Sequence, residues 1–381
     1  MPLAPDYCQV LSHQVLYNVP GKMGGWPTIM RSRSGELAVV FSGDRQQHVD
    51  PYGKTVLMRS GDEGGSWTEP QVINDTPLDD RDPGIIETAA GTWLVSFFTS
   101  RTFADWQEQA LRHYGAGVVD PWQPYIDRLT PEISQEYLGS FVRRSTDGGR
   151  SWGPLIRVPL MTSHGPVTGR DGRLLYLGYS DEGGIPTIAF CESTDDGLTW
   201  QKVSTICRND IFSNVRFHEP HVVELPDGRL LGMIRSNAVK EEDRILYQTE
   251  SVDGGRTWSQ PQNTGVWGLP PHLLLHSSGV LICAYGHRRL PFGQRAILSY
   301  DQGKSWTREL ILNEVDFAAW QKARDVGRAE KASHDYFYQD PDLGYPATAE
   351  LADGSLYTVY YQSYPDRPGA GVYGVRWALP E

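Results

Sequence analysis

Hydrophobic residues along this chain come in short runs of four to six, cut by Gly, Asp, Asn and Pro at brief intervals. Such spacing predicts strands and tight turns rather than long helices. Six times a Gly is followed closely by Leu and an apolar stretch: at Gly35–Leu37, Gly91–Leu94, Gly172–Leu174, Gly228–Leu230, Gly279–Leu281 and Gly354–Leu356. Each is expected to be a hairpin turn between two strands.

A second pattern, S-x-D-x-G-x-[S/T]-W, follows five of these turns. It runs Ser60–Trp67, Ser145–Trp152, Ser193–Trp200, Ser251–Trp258 and Ser299–Trp306. In each copy the Asp and Ser/Thr side chains suit bonding to nearby amides, the Gly suits positive φ, and the Trp suits a gap between sheets. The pattern is therefore structural, and its aspartates are not expected to be catalytic. Six hairpins and five boxes read as a six-bladed β-propeller, all-β, spanning residues 1–381 as one domain. The last blade has no box because the chain ends soon after its hairpin. A strand near Val372–Trp377 is expected to share that blade with one near Val15–Val19, closing the ring. Two insertions interrupt the rhythm, at about 103–140 and 313–342. The second holds a possible amphipathic helix over Glu314–Arg328.

In a four-stranded blade (strands a to d) the a–b and c–d turns share one face of the disc. The six Gly-Leu turns and the five boxes thus lie on one side, and both insertions on the other. That second face also receives the starts of strand a: Arg81–Asp82–Pro83, His164–Gly165–Pro166, His218–Glu219–Pro220, Pro270–Pro271–His272 and Gly344–Tyr345–Pro346. Strands b end there at Arg45, Arg101, Arg235 and His287–Arg288–Arg289. Because strand a lines the axis, these polar ends converge at one mouth, where a rigid scaffold usually carries its site.

The repeats and the segment Phe217–Arg235 resemble the sialidase (neuraminidase) superfamily of Asp-box glycosidases over nearly the whole chain. The resemblance implies a retaining exo-glycosidase that releases a terminal acidic sugar, sialic acid or a relative. Glu219 and Arg235 match a family glutamate and arginine at the start of one strand and the end of the next. Gly344–Tyr345–Pro346 with Leu351–Leu356 resembles the segment of the nucleophilic tyrosine, implying Tyr345. The acid/base aspartate falls best on Asp50, with Asp44 a poorer match and His48 a rival in the same loop. A phenol suits a sugar that carries a carboxylate on its anomeric carbon, since a carboxylate nucleophile would meet like charge. Glu219 would accept its proton, and arginines would hold the substrate carboxylate.

The resemblance breaks at Gly24–Gly25–Trp26–Pro27, where Gly25 stands in place of the family's first arginine. The third arginine falls on Arg288, Arg289 or Arg295, and Arg45 or Arg81 can substitute from neighbouring loops. Asp82 and His164 complete the expected substrate contacts. Two other functions remain open: a hydrolase or lyase acting on another uronate-containing glycan, with His164, His218 or Tyr345 as acid/base, and a glycan-binding propeller without catalysis.

Composition narrows the partners. The net charge of −12 disfavours nucleic acid, whose phosphates need a basic face. No run approaches the roughly 18 apolar residues of a membrane span. Cys8, Cys191, Cys207 and Cys283 show no metal-ligand spacing and read as separate thiols. No cofactor or metal is called for; a loop cation at Asp79, Asp80 and Asp82 is the one conceivable exception. The N-terminus has no signal-peptide pattern, so a cytoplasmic location is expected, with a secreted protein trimmed of its signal as the alternative. Oligomeric state is not legible.

Overall fold

A computed structural model describes residues 5–209, 215–238, 240–322, 341–364 and 367–380. They form six antiparallel sheets arranged as a β-propeller. Blade one comprises Met23–Arg31, Leu37–Arg45, Lys54–Ser60 and Gln71–Asn74, and blade two Asp79–Glu87, Trp93–Ser100, Ser140–Ser145 and Ile156–Val158. Blade three comprises Val167–Thr168, Leu174–Asp181, Pro186–Ser193 and Gln201–Arg208, and blade four Val215–Glu224, Leu230–Ala238, Ile245–Ser251 and Gln262–Trp267. Blade five holds Leu269–Leu275, Leu281–His287, Gly293–Ser299 and Arg308–Glu314. Blade six is Leu343–Glu350, Leu356–Tyr364 and Arg367–Ala378, completed by the N-terminal strand Gln9–Tyr17, which pairs antiparallel with the last of these. The ring therefore closes as the sequence implied. One addition was not expected: Pro5–Tyr7 pairs parallel to Arg308–Glu314 as a fifth strand of blade five.

Strand b of blade one opens with an unbroken apolar run because both its faces meet another sheet. Leu37, Ala38, Val39, Val40 and Phe41 are all fully buried. Residues of one parity join Ile29, Met58, Ala347 and Tyr357 in the cluster between blades one and six. Those of the other join Met30, Leu57, Ile85 and Trp93 between blades one and two. Each Val, Leu, Ile, Phe or Met among them contributes about 1.5–3 kcal/mol by burial.

The boxes act as the spacing implies. Asp62 Oδ1 accepts from Ser60 Oγ at 2.7 Å and from the Ser66 amide at 2.8 Å, and the Gly64 amide donates to Ser60 Oγ at 2.9 Å. Gly64 has φ +86°, and a Cβ there would stand 2.4 Å from the Tyr357 ring of blade six. The box glycine thus makes the turn and also lets it press against the neighbouring blade.

The first insertion folds as short helices from Thr102–Asp105 to Pro131–Tyr137. Phe103, Ala110, Val119 and Trp122 pack with Val49 into a small core of their own, joined by Tyr52. The helices therefore lie over the loop of blade one that contains Asp50. In the second insertion residues 317–322 are helical; the rest of the helix expected at Glu314–Arg328 lies outside the described residues.

Candidate functional site

Strand a begins with a bulge in every blade where pairing can be followed past its Pro. Register shifts fall at Gly25/Thr28, Arg81/Gly84, His218/His221, Leu269/Pro271 and Gly344/Ala347. In four blades the residue before the Pro is not Gly yet has positive φ: Trp26 (54°), Asp82 (46°), Glu219 (39°) and Tyr345 (52°). Gly165 fills the place in blade three with φ 78°. A residue before Pro avoids the helical region, and the left-handed conformation costs about 1–3 kcal/mol for each non-glycine. The same strained device, repeated around the ring, turns an aromatic or acidic side chain toward the axis.

Two of these residues meet directly. The Tyr345 hydroxyl donates to Glu219 Oε1 at 2.8 Å. Arg235, at the end of the strand paired with Glu219's, forms an ion pair through Nη1 with Glu219 Oε2 and donates to the Tyr345 hydroxyl at 3.4 Å. Burial alone would raise the Glu219 carboxyl, but Arg235 and the Tyr345 hydroxyl bring it below the ordinary range. Burial, then the charges of Glu219 and Asp82, push Tyr345 well above the usual phenol value. The resting pair is thus a neutral phenol donating to a carboxylate, and that carboxylate can take its proton when the oxygen attacks an electrophile.

Arg288 forms the next wall. Its guanidinium lies 5.5 Å from the Tyr345 ring centroid, and it donates to the Leu343 carbonyl at 2.6 Å and to the Tyr361 hydroxyl at 3.2 Å. Tyr361 in turn donates to Asp342 at 2.7 Å, and His48 stands 3.5 Å from Asp342. Of the three blade-five arginines, this one reaches the site. Arg289 lies over Trp267 at 4.6 Å, and Arg295 pairs with Glu309 at 2.9 Å, away from Tyr345.

Several expected contacts are placed elsewhere. Arg45 is 0 % exposed and bonds through two nitrogens to Asp79, so it braces the blade one–two junction instead of meeting a ligand. Arg81 donates to Asp79 at 3.1 Å and to the His48 carbonyl at 2.9 Å, with its guanidinium 4.2 Å from the Trp26 ring. Asp50 is also 0 % exposed; Oδ2 accepts the amides of Gln46 and Gln47 at 2.6 and 2.7 Å, and Oδ1 that of Tyr52 at 3.0 Å. Closed in by the helical insertion, Asp50 holds its own loop together and is not open at the mouth where the sequence placed it. Arg101 pairs with Asp105 within that insertion. Asp79 and Asp80 are likewise committed, the latter to Asn74 and Thr76, so they do not gather with Asp82 around a cation.

His164 lies beneath the pair, not beside it. Its ring is 6.2 Å from that of Tyr345, it is 2 % exposed, and Nδ1 is 3.1 Å from Thr28 Oγ1. With His221 and His272 it forms a trio around the axis, ring centroids 4.5–5.9 Å apart. Burial, then their mutual proximity, holds His164 and His272 well below the usual imidazole value, so the trio is neutral. A cavity of about 540 Å³ runs from this floor to Arg31 and Glu350 on the opposite face. His218 stacks on Tyr179 at 5.2 Å.

The sequence reading gave no role to Trp26, Asp342, Tyr361 or His221. A usable signal was present: a dipeptide near the start of strand a recurs as Trp26–Pro27, Asp82–Pro83, Glu219–Pro220 and Tyr345–Pro346. Aligned on Pro, it equates Trp26 with Glu219 and Tyr345. Among the described residues no helix is long and apolar enough to cross a membrane, and no three His, Cys, Asp or Glu side chains converge as a metal site.

The chain aligns with a structure of an unknown-function protein from Dyadobacter fermentans at TM-score 0.72 and 23 % identity, covering 98 % of this chain and 99 % of that one. It aligns with a Hadza microbial sialidase at TM-score 0.63 and 17 % identity, covering 94 % and 66 %. A xyloglucanase of Acetivibrio thermocellus is 26 % identical over 202 residues, 46 % of this chain and 22 % of the enzyme; the chain thus spans about a fifth of that relative. The model of the BNR repeat-like domain matches residues 37–358, which include all five boxes and the Glu219–Arg235 segment, and the chain belongs to that family.

Proposed function

We propose that this propeller is a retaining exo-glycosidase acting on a terminal acidic sugar, with Tyr345 as nucleophile and Glu219 as its proton acceptor. The observation that carries this is the 2.8 Å hydrogen bond from Tyr345 to Glu219 beside Arg235. A buried phenol that merely packed would not need a carboxylate and a guanidinium on its hydroxyl. Attack by the Tyr345 oxygen on an anomeric carbon, with its proton passing to Glu219, gives a glycosyl-tyrosine that water then opens. Two successive inversions retain configuration. Arg235 and Arg288, both beside Tyr345, would hold the substrate carboxylate, each such contact being worth about 1.5–3 kcal/mol.

A second reading, a neutral sugar as substrate, is favoured by one observation. Blade one presents Trp26 at its strained axial position, and Arg45 and Arg81 are bound to Asp79. The carboxylate clamp then rests on two arginines. The test is release of aryl alcohol from paired glycosides that differ in the sugar's carboxylate. The acidic member is expected to react at least tenfold faster by kcat/KM; faster reaction of the neutral member selects the second reading. Absence of turnover with tight glycan binding would replace both with a binding propeller.

A further inference from the structure

A glycosidase needs a second proton-bearing group for the leaving oxygen, and Asp50 is closed off from the site. The described residues contain another carboxyl group suited to the task. Asp82 occupies in blade two the same strained position that Glu219 and Tyr345 occupy in theirs. It is 4 % exposed, and Oδ1 has no hydrogen-bond partner among the described residues. Its sequence neighbour Arg81 does not claim it: the guanidinium Nε is 3.9 Å away, and Arg81 donates instead to Asp79 and the His48 carbonyl. A buried carboxyl oxygen without a partner costs about 1–3 kcal/mol, and strained, unsatisfied groups gather at functional sites.

We infer that Asp82 is the general acid and base of this site, donating a proton to the leaving oxygen and then removing one from water. The inference rests on the glycosidase reading above. In the first step Tyr345 Oη bonds to the anomeric carbon and gives its proton to Glu219. The glycosidic C–O bond breaks, its electron pair stays on the leaving oxygen, and that oxygen takes the proton of Asp82. In the second step water bonds to the same carbon and gives a proton to Asp82. The C–O(Tyr345) bond breaks with its pair on the phenol oxygen, which recovers its proton from Glu219. No further reactant is needed.

Electrostatics agree with the geometry. Burial, opposed by Arg81 and reinforced by Glu219, raises the Asp82 carboxyl to about 7. A general acid works best when its proton affinity lies near the working pH. Asp82 and Glu219 thus divide the two roles by environment: Glu219 is kept ionised by Arg235, and Asp82 is kept protonated by burial.

The experiment uses the full chain and a series of aryl glycosides graded in leaving-group acidity, on whichever sugar the wild type accepts. Asn tolerates positive φ, so Asp82→Asn is expected to fold. It should lose roughly 10²–10⁴-fold in kcat/KM on poor leaving groups and less than about tenfold on dinitrophenolate, and added azide should speed release of the sugar from Asp82→Ala. Asp50→Asn should show no dependence on the leaving group. An equal loss across the series in Asp82→Asn, or graded loss in Asp50→Asn, overturns the assignment. Carbon-13 titration of the Asp82 carboxyl gives a readout independent of turnover, with a midpoint near 7 expected and one near 4 overturning it. A wild type that turns over none of the series refutes the glycosidase reading itself, an outcome distinct from either result for Asp82.

Discussion

Tyr345 and Glu219 lie 126 positions apart in the chain, and the phenol of one donates to the carboxylate of the other at 2.8 Å. Both sit at the residue before Pro, both at positive φ, on blades six and four of the same ring. Removing the phenol oxygen tests what this contact is for. Tyr345→Phe keeps the ring and its packing with Met23, Trp26 and Tyr361, so its melting temperature should stay within a few degrees of wild type. Its kcat on aryl glycosides should fall at least about 10³-fold if the oxygen is the nucleophile, and full activity would remove Tyr345 from that role.

The blade one–two junction makes a separate prediction about stability. Asp79→Asn leaves Arg45 buried with the charge of its bidentate partner gone, and breaking one side of such a pair costs about 3–5 kcal/mol. Urea unfolding should show that loss. Asp50→Asn removes one acceptor from a three-amide cluster and should cost about 1–3 kcal/mol. Both variants should keep kcat close to wild type at temperatures where they remain folded.

Buried carboxyls set a pH dependence with a definite sign. Burial raises Asp80 to about 7 despite its bonds to Thr76 and Asn74, whereas an unfolded Asp releases its proton near 4. Between those values the native chain holds the proton and the unfolded chain does not, so this group's contribution to stability falls as pH rises and levels off above about 7. Asp80→Asn removes that slope. The stability advantage of wild type over the variant should therefore shrink from pH 4 to pH 7, and an advantage that grows would contradict the sign.

Gly64 tests the box as a structural device. Gly64→Ala adds a methyl 2.4 Å from the Tyr357 ring at φ +86°. Backbone strain of about 1–3 kcal/mol adds to overpacking of similar size. A clear drop in melting temperature is expected without change in kcat at 25 °C.

The repeats made the ring legible from residues alone, because every blade must solve the same local problem. A box needs Asp, Ser and Gly within eight residues to satisfy its own amides, and a buried strand b needs an unbroken apolar run such as Leu37–Phe41. Those demands are short-range and leave a printed pattern. That Tyr345, Glu219 and Arg235 meet was legible for a related reason, each standing at a fixed place relative to a hairpin. Asp50 shows the limit. Its distance from the first box was right for an acid, but the helices between Thr102 and Tyr137 cover it, and nothing local to Gln46–Tyr52 encodes that cover. Likewise, the sequence lists Arg45, Arg81, Arg288, Arg289 and Arg295 as equals. Only packing decides which guanidinium is bound to Asp79, Glu309 or Trp267 and which stands beside Tyr345, because an arginine reaches several ångströms and its partner is set by the nearest carboxylate or ring in space, not in the chain.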